Sequence, residues 1–229
     1  MASEIEAFLT VEVPLRLLAR RPESGCGASP VLLGMHGYGM DAESLLAVLA
    51  KAAPPSFLVV SLQGPHSTLV SGVDDAEQKK GFHWGVSPRA EDNRLVHRRA
   101  VVAALAWAGA NGGDRARTVL AGFSQPCSFN YRLAAAPPDG LPFAAVLAFC
   151  GGVPGEWTGP GEPTAASAAA DVLHVSTNDD PYYPEARIAP YAEILASRFR
   201  TAAHLRYDGR HHVPSKSFAD VRAFLKAHS

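Results

Sequence analysis

The feature that most constrains this chain is a regular alternation of short apolar runs with stretches of helical character. The runs are Phe8 to Leu18, Val31 to Met35, Phe57 to Leu62, Thr118 to Gly122, Ala144 to Phe149, Val172 to Ser176 and His204 to Tyr207. Helical stretches fit between and after them, at Ala42 to Ala52, Asn93 to Ala108, Gln125 to Ala135, Pro184 to Phe199 and Ser215 to His228. Strand–helix alternation of this kind predicts an α/β fold, a mostly parallel central sheet with helices on both faces. Pro14 denies a ladder donor to the first run, which places it at the sheet margin. In the last helix Phe218, Val221, Phe224 and Leu225 share one face while Lys216, Asp220, Arg222 and Lys226 look elsewhere, so the chain ends in an amphipathic helix. Gln63 to Ala90 and Gly151 to Ala170 read as loops. With 229 residues, 47% of them hydrophobic, no internal repeat and no linker, one α/β domain is expected.

Charge and cysteine content narrow the partners. The 21 basic and 22 acidic side chains nearly cancel, which leaves no electrostatic footprint for a nucleic acid or an anionic membrane. A small, weakly charged molecule is the expected partner, with a homodimer left open. Cys26, Cys127 and Cys150 are too few and too irregularly spaced for a disulfide framework or a zinc site, and their odd number fits a reducing compartment. Glu4 and Glu6 stand where a secretory leader needs a basic start and an apolar run, and no later segment approaches the ~20 apolar residues of a membrane span. These observations predict a soluble cytoplasmic protein.

The candidate chemistry begins at Gly122-Phe123-Ser124-Gln125, which follows the strand Thr118 to Ala121 and opens a helical stretch. That is the strand–turn–helix setting of a nucleophile elbow, where a serine is held in strained backbone geometry and pushed clear of the sheet. The competing reading is a helix N-cap. In sheets that carry such an elbow the partners follow in chain order serine, acid, histidine. Asp180 comes directly after the strand Val172 to Ser176, at the carboxyl end where such sheets gather ligands. Of the nine histidines, His211 and His212 lie after the last strand and before the terminal helix. Taken singly, Asp180-Pro181 also reads as a turn opener and either histidine as a solvated loop residue.

Four motifs in order resemble the phospholipase/carboxylesterase family of α/β hydrolases, which includes acyl-protein thioesterases. They are Met35-His36-Gly37-Tyr38-Gly39, Gly122-Phe123-Ser124-Gln125, Asp180-Pro181-Tyr182-Tyr183-Pro184 and Tyr207-Asp208-Gly209-Arg210-His211-His212. The resemblance implies the α/β-hydrolase fold and a serine hydrolase that cleaves carboxylic esters or thioesters through an acyl-enzyme, with no metal or organic cofactor. It implies Ser124 as nucleophile, Asp180 as orienting acid, and an oxyanion hole made by the backbone amides of Tyr38 and Gln125, each typically worth ~3 kcal/mol to the transition state. His36 is then a loop-shaping residue. Counting back from Asp220-Val221, the family's catalytic histidine falls on His211; counting forward from Tyr207 favours His212, and His211 is preferred because a helix fixes spacing better than a loop.

Pro126 departs from the family, which usually has glycine two residues after the serine. In a first helical turn its missing donor has no intrahelical acceptor to lose. Trp84 and Tyr182 are expected to bind substrate, Trp84 as a pocket wall, and Cys127 to be a small buried residue without activating partner. The charged side chains Asp74, Asp75, Glu77, Lys79 and Lys80 make Gln63 to Ala90 a mostly solvated segment, and no stretch is left for a large apolar lid, so short or medium acyl groups are expected. The rival reading is a non-catalytic binding protein on the same scaffold, for which Pro126 is the argument; a peptidase or dienelactone-type hydrolase is a second.

Overall fold

The computed structural model describes residues 5, 7, 9–23, 27–71, 78–86, 90–138, 141–159 and 168–229. Phe8, Cys26, Asp74, Asp75, Glu77 and part of the expected loop at 151–170 lie outside them. In chain order the elements are β1 (Leu17–Arg20), β2 (Ser29–Met35), α1 (Ala42–Ala52), β3 (Leu58–Leu62), β4 (His66–Ser71), β5 (Gln78–His83), α2 (Ala90–Ala110), β6 (Gly113–Phe123), α3 (Cys127–Ala135), β7 (Ala145–Phe149), β8 (Ala168–Thr177), α4 (Glu185–Ile188), α5 (Tyr191–Ala196), β9 (Phe199–Tyr207) and α6 (Phe218–Lys226).

Seven strands form one sheet in the order β1-β3-β2-β6-β7-β8-β9, parallel except for β1, which runs antiparallel to β3. This is the mostly parallel sheet expected from the alternation, in the α/β-hydrolase architecture that the resemblance implies. β2, β3 and β7 are buried along their whole length, as strands covered on both faces must be. Leu33, Met35, Leu120 and Val146 look into the layer with α2, α3 and α5, where Val101, Leu105, Tyr131 and Leu195 meet them. Leu32, Val119, Leu147 and Val175 look the other way, onto Leu45 and Leu49 of α1 and Val221 and Leu225 of α6.

Helix α1 shows why the local chain folds as it does. Leu45, Leu49 and Ala52 fall four and three apart on its buried face, and Asp41 caps its start by accepting from the Ser44 amide at 2.8 Å while the Ser44 hydroxyl reaches back. Pro54 and Pro55 stop it.

Three expectations are corrected. Among the described residues the first strand begins at Leu17: β3, its ladder partner there, ends at Leu62, beyond which the Gln63 amide donates to the Arg16 carbonyl and pairing stops. The expected helix over Pro184 to Phe199 is two short helices, because Pro190 has no amide to donate and its ring excludes the preceding carbonyl; it instead starts α5. The expected loop from Gln63 contains the antiparallel pair β4/β5, whose residues His66-Ser67-Thr68 and Gln78-Lys79-Lys80 give no apolar alternation to read.

Among the described residues three imidazoles are buried, those of His36, His97 and His174. His97 of α2 pairs with Asn130 Oδ1 at 2.9 Å, and His174 of β8 with the Tyr131 hydroxyl at 2.7 Å. Burial pushes His97 down to about 4 and, with nearby His204 adding to the effect, His174 down to about 3. The unfolded chain binds these protons near ~6.5, so between that value and the folded values it holds more protons than the native state, and stability falls as pH falls. The unfolding free energy is expected to drop by about 2 kcal/mol per buried imidazole between pH 7 and pH 5, measured by urea titration, and His97→Gln should flatten the slope. A flat profile over that interval would contradict the neutral burial of these rings.

Candidate active site

The register of the sheet brings five loops to one edge. Met35 is level with Gly122, Phe123 with Phe149, Phe149 with Val175 and Thr177 with Tyr207. The chain therefore leaves β2, β6, β7, β8 and β9 at nearly the same height, carrying Tyr38, Ser124, Gly152, Asp180 and His211 out of the carboxyl edge.

At the end of β6, Ser124 adopts φ 62°, in the left-handed region that a non-glycine residue enters at a cost. Its amide donates to the Phe149 carbonyl at 2.8 Å and its carbonyl accepts from the Cys127 amide at 3.2 Å, which holds the turn. Gly122 makes the turn tight: a Cβ there would stand 2.9 Å from Asn130 Nδ2 and 3.3 Å from the Cys127 nitrogen. Pro126 has helical torsions (φ −74°, ψ −9°), and its carbonyl accepts from the Asn130 amide at 2.9 Å. Helix α3 has no side-chain cap, so the Ser124 hydroxyl is not spent as an N-cap.

That hydroxyl lies 2.9 Å from His211 Nε2, and His211 Nδ1 lies 2.7 Å from Asp180 Oδ2. Asp180 is 3% exposed, and its other oxygen accepts from the Tyr182 and Tyr183 amides at 2.8 and 3.2 Å. The carboxylate is thus fixed by its own loop and aimed at the imidazole. The His211 ring is packed by Phe123 and Tyr182 at 4.8 Å and by Tyr183 at 5.8 Å. With Nδ1–H donating to Asp180, Nε2 is left unprotonated toward the serine. His212 is exposed, and its ring folds back over Gly209, where a Cβ would meet its Cε1 at 2.5 Å. Asp179 is exposed and donates its amide to the Gly209 carbonyl.

The loop after β2 lies against the elbow. A Cβ on Gly37 would be 2.8 Å from Phe123 Cδ1 and 3.2 Å from the Phe123 carbonyl. Among the described residues neither the Tyr38 nor the Gln125 amide has a hydrogen-bond acceptor. His36 shapes this loop, as expected: Nδ1 donates to the Gly37 carbonyl and Nε2 accepts from the Gly64 amide, both at 2.8 Å, and burial holds the imidazole below its ordinary range. The hairpin β4/β5 is fastened over it, with Gly39 donating to the Phe82 carbonyl and Phe82 to the Met40 carbonyl, and with Tyr38, His83 and His66 stacked ring on ring at 5.1 Å.

Trp84 is not a pocket wall. It is 1% exposed, its indole N–H donates to the His36 carbonyl at 2.9 Å, and its amide donates at 2.9 Å to the Gln125 side chain, whose Nε2 reaches the Gly85 carbonyl at 2.6 Å. It braces both amide-bearing loops from beneath. No local pattern points to this role, because the other half of the brace is the side chain of Gln125, 41 residues away. Tyr182 is 65% exposed beside His211. Trp157 packs on Tyr131 and Phe199. Cys127 and Cys150 are buried and unpaired, burial pushing Cys150 up to about 11. Among the described residues no three His, Cys, Asp or Glu side chains are grouped to hold a metal ion, and no helix is long and apolar enough to cross a membrane.

A family model described as Phospholipase/Carboxylesterase matches residues 23–229. The chain belongs to the phospholipase/carboxylesterase family. No curated protein matches it. Among solved structures, a Bacillus cereus carboxylesterase is 16% identical, with a TM-score of 0.69 over 94% of this chain and 95% of that one. Esterase PE8 is 22% identical, with a TM-score of 0.70 over 95% and 100%. A Zea mays acyl-protein thioesterase 2 is 15% identical, with a TM-score of 0.66 over 93% and 98%. At these identities the likeness is one of fold, the family's mostly parallel sheet.

If Trp84 is the brace, Trp84→Phe keeps a ring but leaves the buried His36 carbonyl without its donor. Urea unfolding should show a loss of about 1–3 kcal/mol, whereas a change within about 0.5 kcal/mol, as for an ordinary surface site, would show that the indole bond carries no load.

Proposed function

We propose that this protein is a serine hydrolase that cleaves carboxylic esters or thioesters, with Ser124 as nucleophile, His211 as base and Asp180 as orienting acid. The observation that carries the reading is the unbroken chain from Ser124 Oγ through His211 to Asp180, at 2.9 and 2.7 Å, on a serine held at φ 62°. Family membership supports the reaction class. The left-handed backbone at Ser124 carries a cost that a binding protein would not need to meet.

In this mechanism the Ser124 hydroxyl attacks the ester carbonyl as its proton passes to His211 Nε2. Asp180 keeps the imidazole in the tautomer that accepts there and favours the imidazolium that forms. The negative charge on the carbonyl oxygen falls between the Tyr38 and Gln125 amides, which the Trp84 brace and the Gly37–Phe123 contact hold in place before the substrate arrives. His211 then gives its proton to the leaving alcohol or thiol, and an acyl-Ser124 ester remains. A water deprotonated by the same histidine attacks that ester and releases the carboxylic acid. Pro126 leaves this path intact, since the Gln125 amide precedes its ring.

Ser124→Ala and His211→Ala should each lower kcat for short p-nitrophenyl esters by about 10⁴-fold or more, with Asp180→Asn less severe by one to two orders of magnitude. His212→Ala should stay close to the parent rate, with thermal unfolding as the check on folding. A fluorophosphonate probe should label Ser124, as mass mapping would show. Turnover that survives Ser124→Ala would refute the reading, and greater damage from His212→Ala or Asp179→Asn would move the base or the acid.

A further inference from the structure

The proposed base stands on a loop with little regular structure to hold it. Residues 208–214, between β9 and the helical turns that end the chain, are neither helix nor strand, and Gly209 lies at φ 143°. The bond from His211 Nδ1 to Asp180 turns the ring, but the reach of Nε2 to Ser124 depends also on where the His211 backbone stands. The carbonyls of the residues before and after His211 are both tied by side chains from neighbouring strand ends. The Thr177 hydroxyl, at the end of β8, donates to the Arg210 carbonyl at 2.7 Å, and the Cys150 thiol, just after β7, donates to the His212 carbonyl at 3.1 Å. The sulfur and the Thr177 oxygen are 3.6 Å apart, so the two ties lie side by side.

Both donors are buried. Burial, with the charge of Asp180 adding to it, pushes the Cys150 thiol up to about 11, so at neutral pH it is a donor and not a nucleophile. Cys150 also adopts φ 44°, in the left-handed region that a residue with a Cβ enters at a cost and glycine does not. Among the described residues Ser124 is the one other non-glycine residue there. The chain continues as Gly151-Gly152, yet the left-handed position itself keeps a side chain. Its amide is fixed on the Val175 carbonyl at 2.8 Å, and from that backbone the sulfur reaches the loop of the base.

We propose that Thr177 and Cys150 are positioning residues for His211: as a pair of buried donors they fix the backbone on either side of it, so that Nε2 stays within bonding distance of Ser124 through the reaction. The inference rests on His211 being the base and adds to that reading the two side chains that set its place. Neither one touches the substrate. An error of about 1 Å in the placement of a reacting group can cost on the order of 10²-fold in rate, so the loss of one tie should appear in turnover, with binding little changed.

The test measures kcat and KM for p-nitrophenyl acetate in Thr177→Val, Thr177→Ser, Cys150→Ala and Cys150→Ser, with the rate counted per Ser124 titrated by a fluorophosphonate. Valine and alanine remove the donor, and serine keeps a hydroxyl at each place. Thr177→Val and Cys150→Ala should each lower kcat by about tenfold or more with KM within about twofold of the parent, while both serine variants should hold kcat within about threefold. Because the rate is counted per titrated serine, loss of folded protein alone does not move it, and the two positions test the pair independently. Valine and alanine variants that keep the parent kcat, or serine variants that fall as far as they do, overturn the positioning role, while ester turnover by the parent leaves the hydrolase reading standing. A parent protein that turns over no ester, or turnover that survives His211→Ala, overturns both.

Discussion

The backbone of Ser124 is the constraint from which the rest of the site follows. A left-handed residue between a buried strand and a buried helix persists only where its surroundings over-determine it. Here the Phe149 carbonyl takes the serine amide, the Cys127 amide closes the turn, and Gly122 lets the helix come close enough for both. Beneath the turn the His97 ring bonds Asn130 Oδ1 at 2.9 Å beside Met35, so the elbow rests on a buried polar pair. The strain is local, and the sheet supplies the support.

In the proposed mechanism, placing the serine oxygen is half of the arrangement; the other half is a pair of amides that must not move. Tyr38 and Gln125 sit on loops from adjacent parallel strands, β2 and β6, and sheet register fixes their ends only to about the accuracy of a strand terminus. The finer positioning comes from side chains. The Trp84 indole ties down the first loop through the His36 carbonyl, while the Gln125 amide group bonds the Trp84–Gly85 backbone like one more rung of a ladder. A tryptophan in the interior thus serves two loops at once, which explains why so large a side chain lies beneath a site and not in its wall.

Much of this was legible in the residues, for identifiable reasons. Parallel strands buried on both faces read as apolar runs, and α1 and α6 carry one-sided patterns, so the layers could be written down. Ser124, Asp180 and His211 were legible because each follows a strand directly and a strand end is a fixed place. What stayed hidden depends on contacts between segments far apart in the chain. The β4/β5 hairpin is mostly polar and leaves no apolar alternation; the break at Pro190 was overridden by the apolar pattern around it; and the role of Trp84 depends on a partner 41 residues away.

The carboxyl-edge assembly also orders events in time. Ser124 and both amide loops belong to the first 125 residues, but Asp180 follows β8 and His211 follows β9, the last strand in the described chain. During synthesis the serine hydroxyl therefore emerges well before the imidazole that would activate it. Docking of β9 against β8 is the step that brings them within reach of one another. On the proposed mechanism, a nascent or truncated chain that lacks this final strand has no base for its serine, so reactivity waits until the sheet is complete.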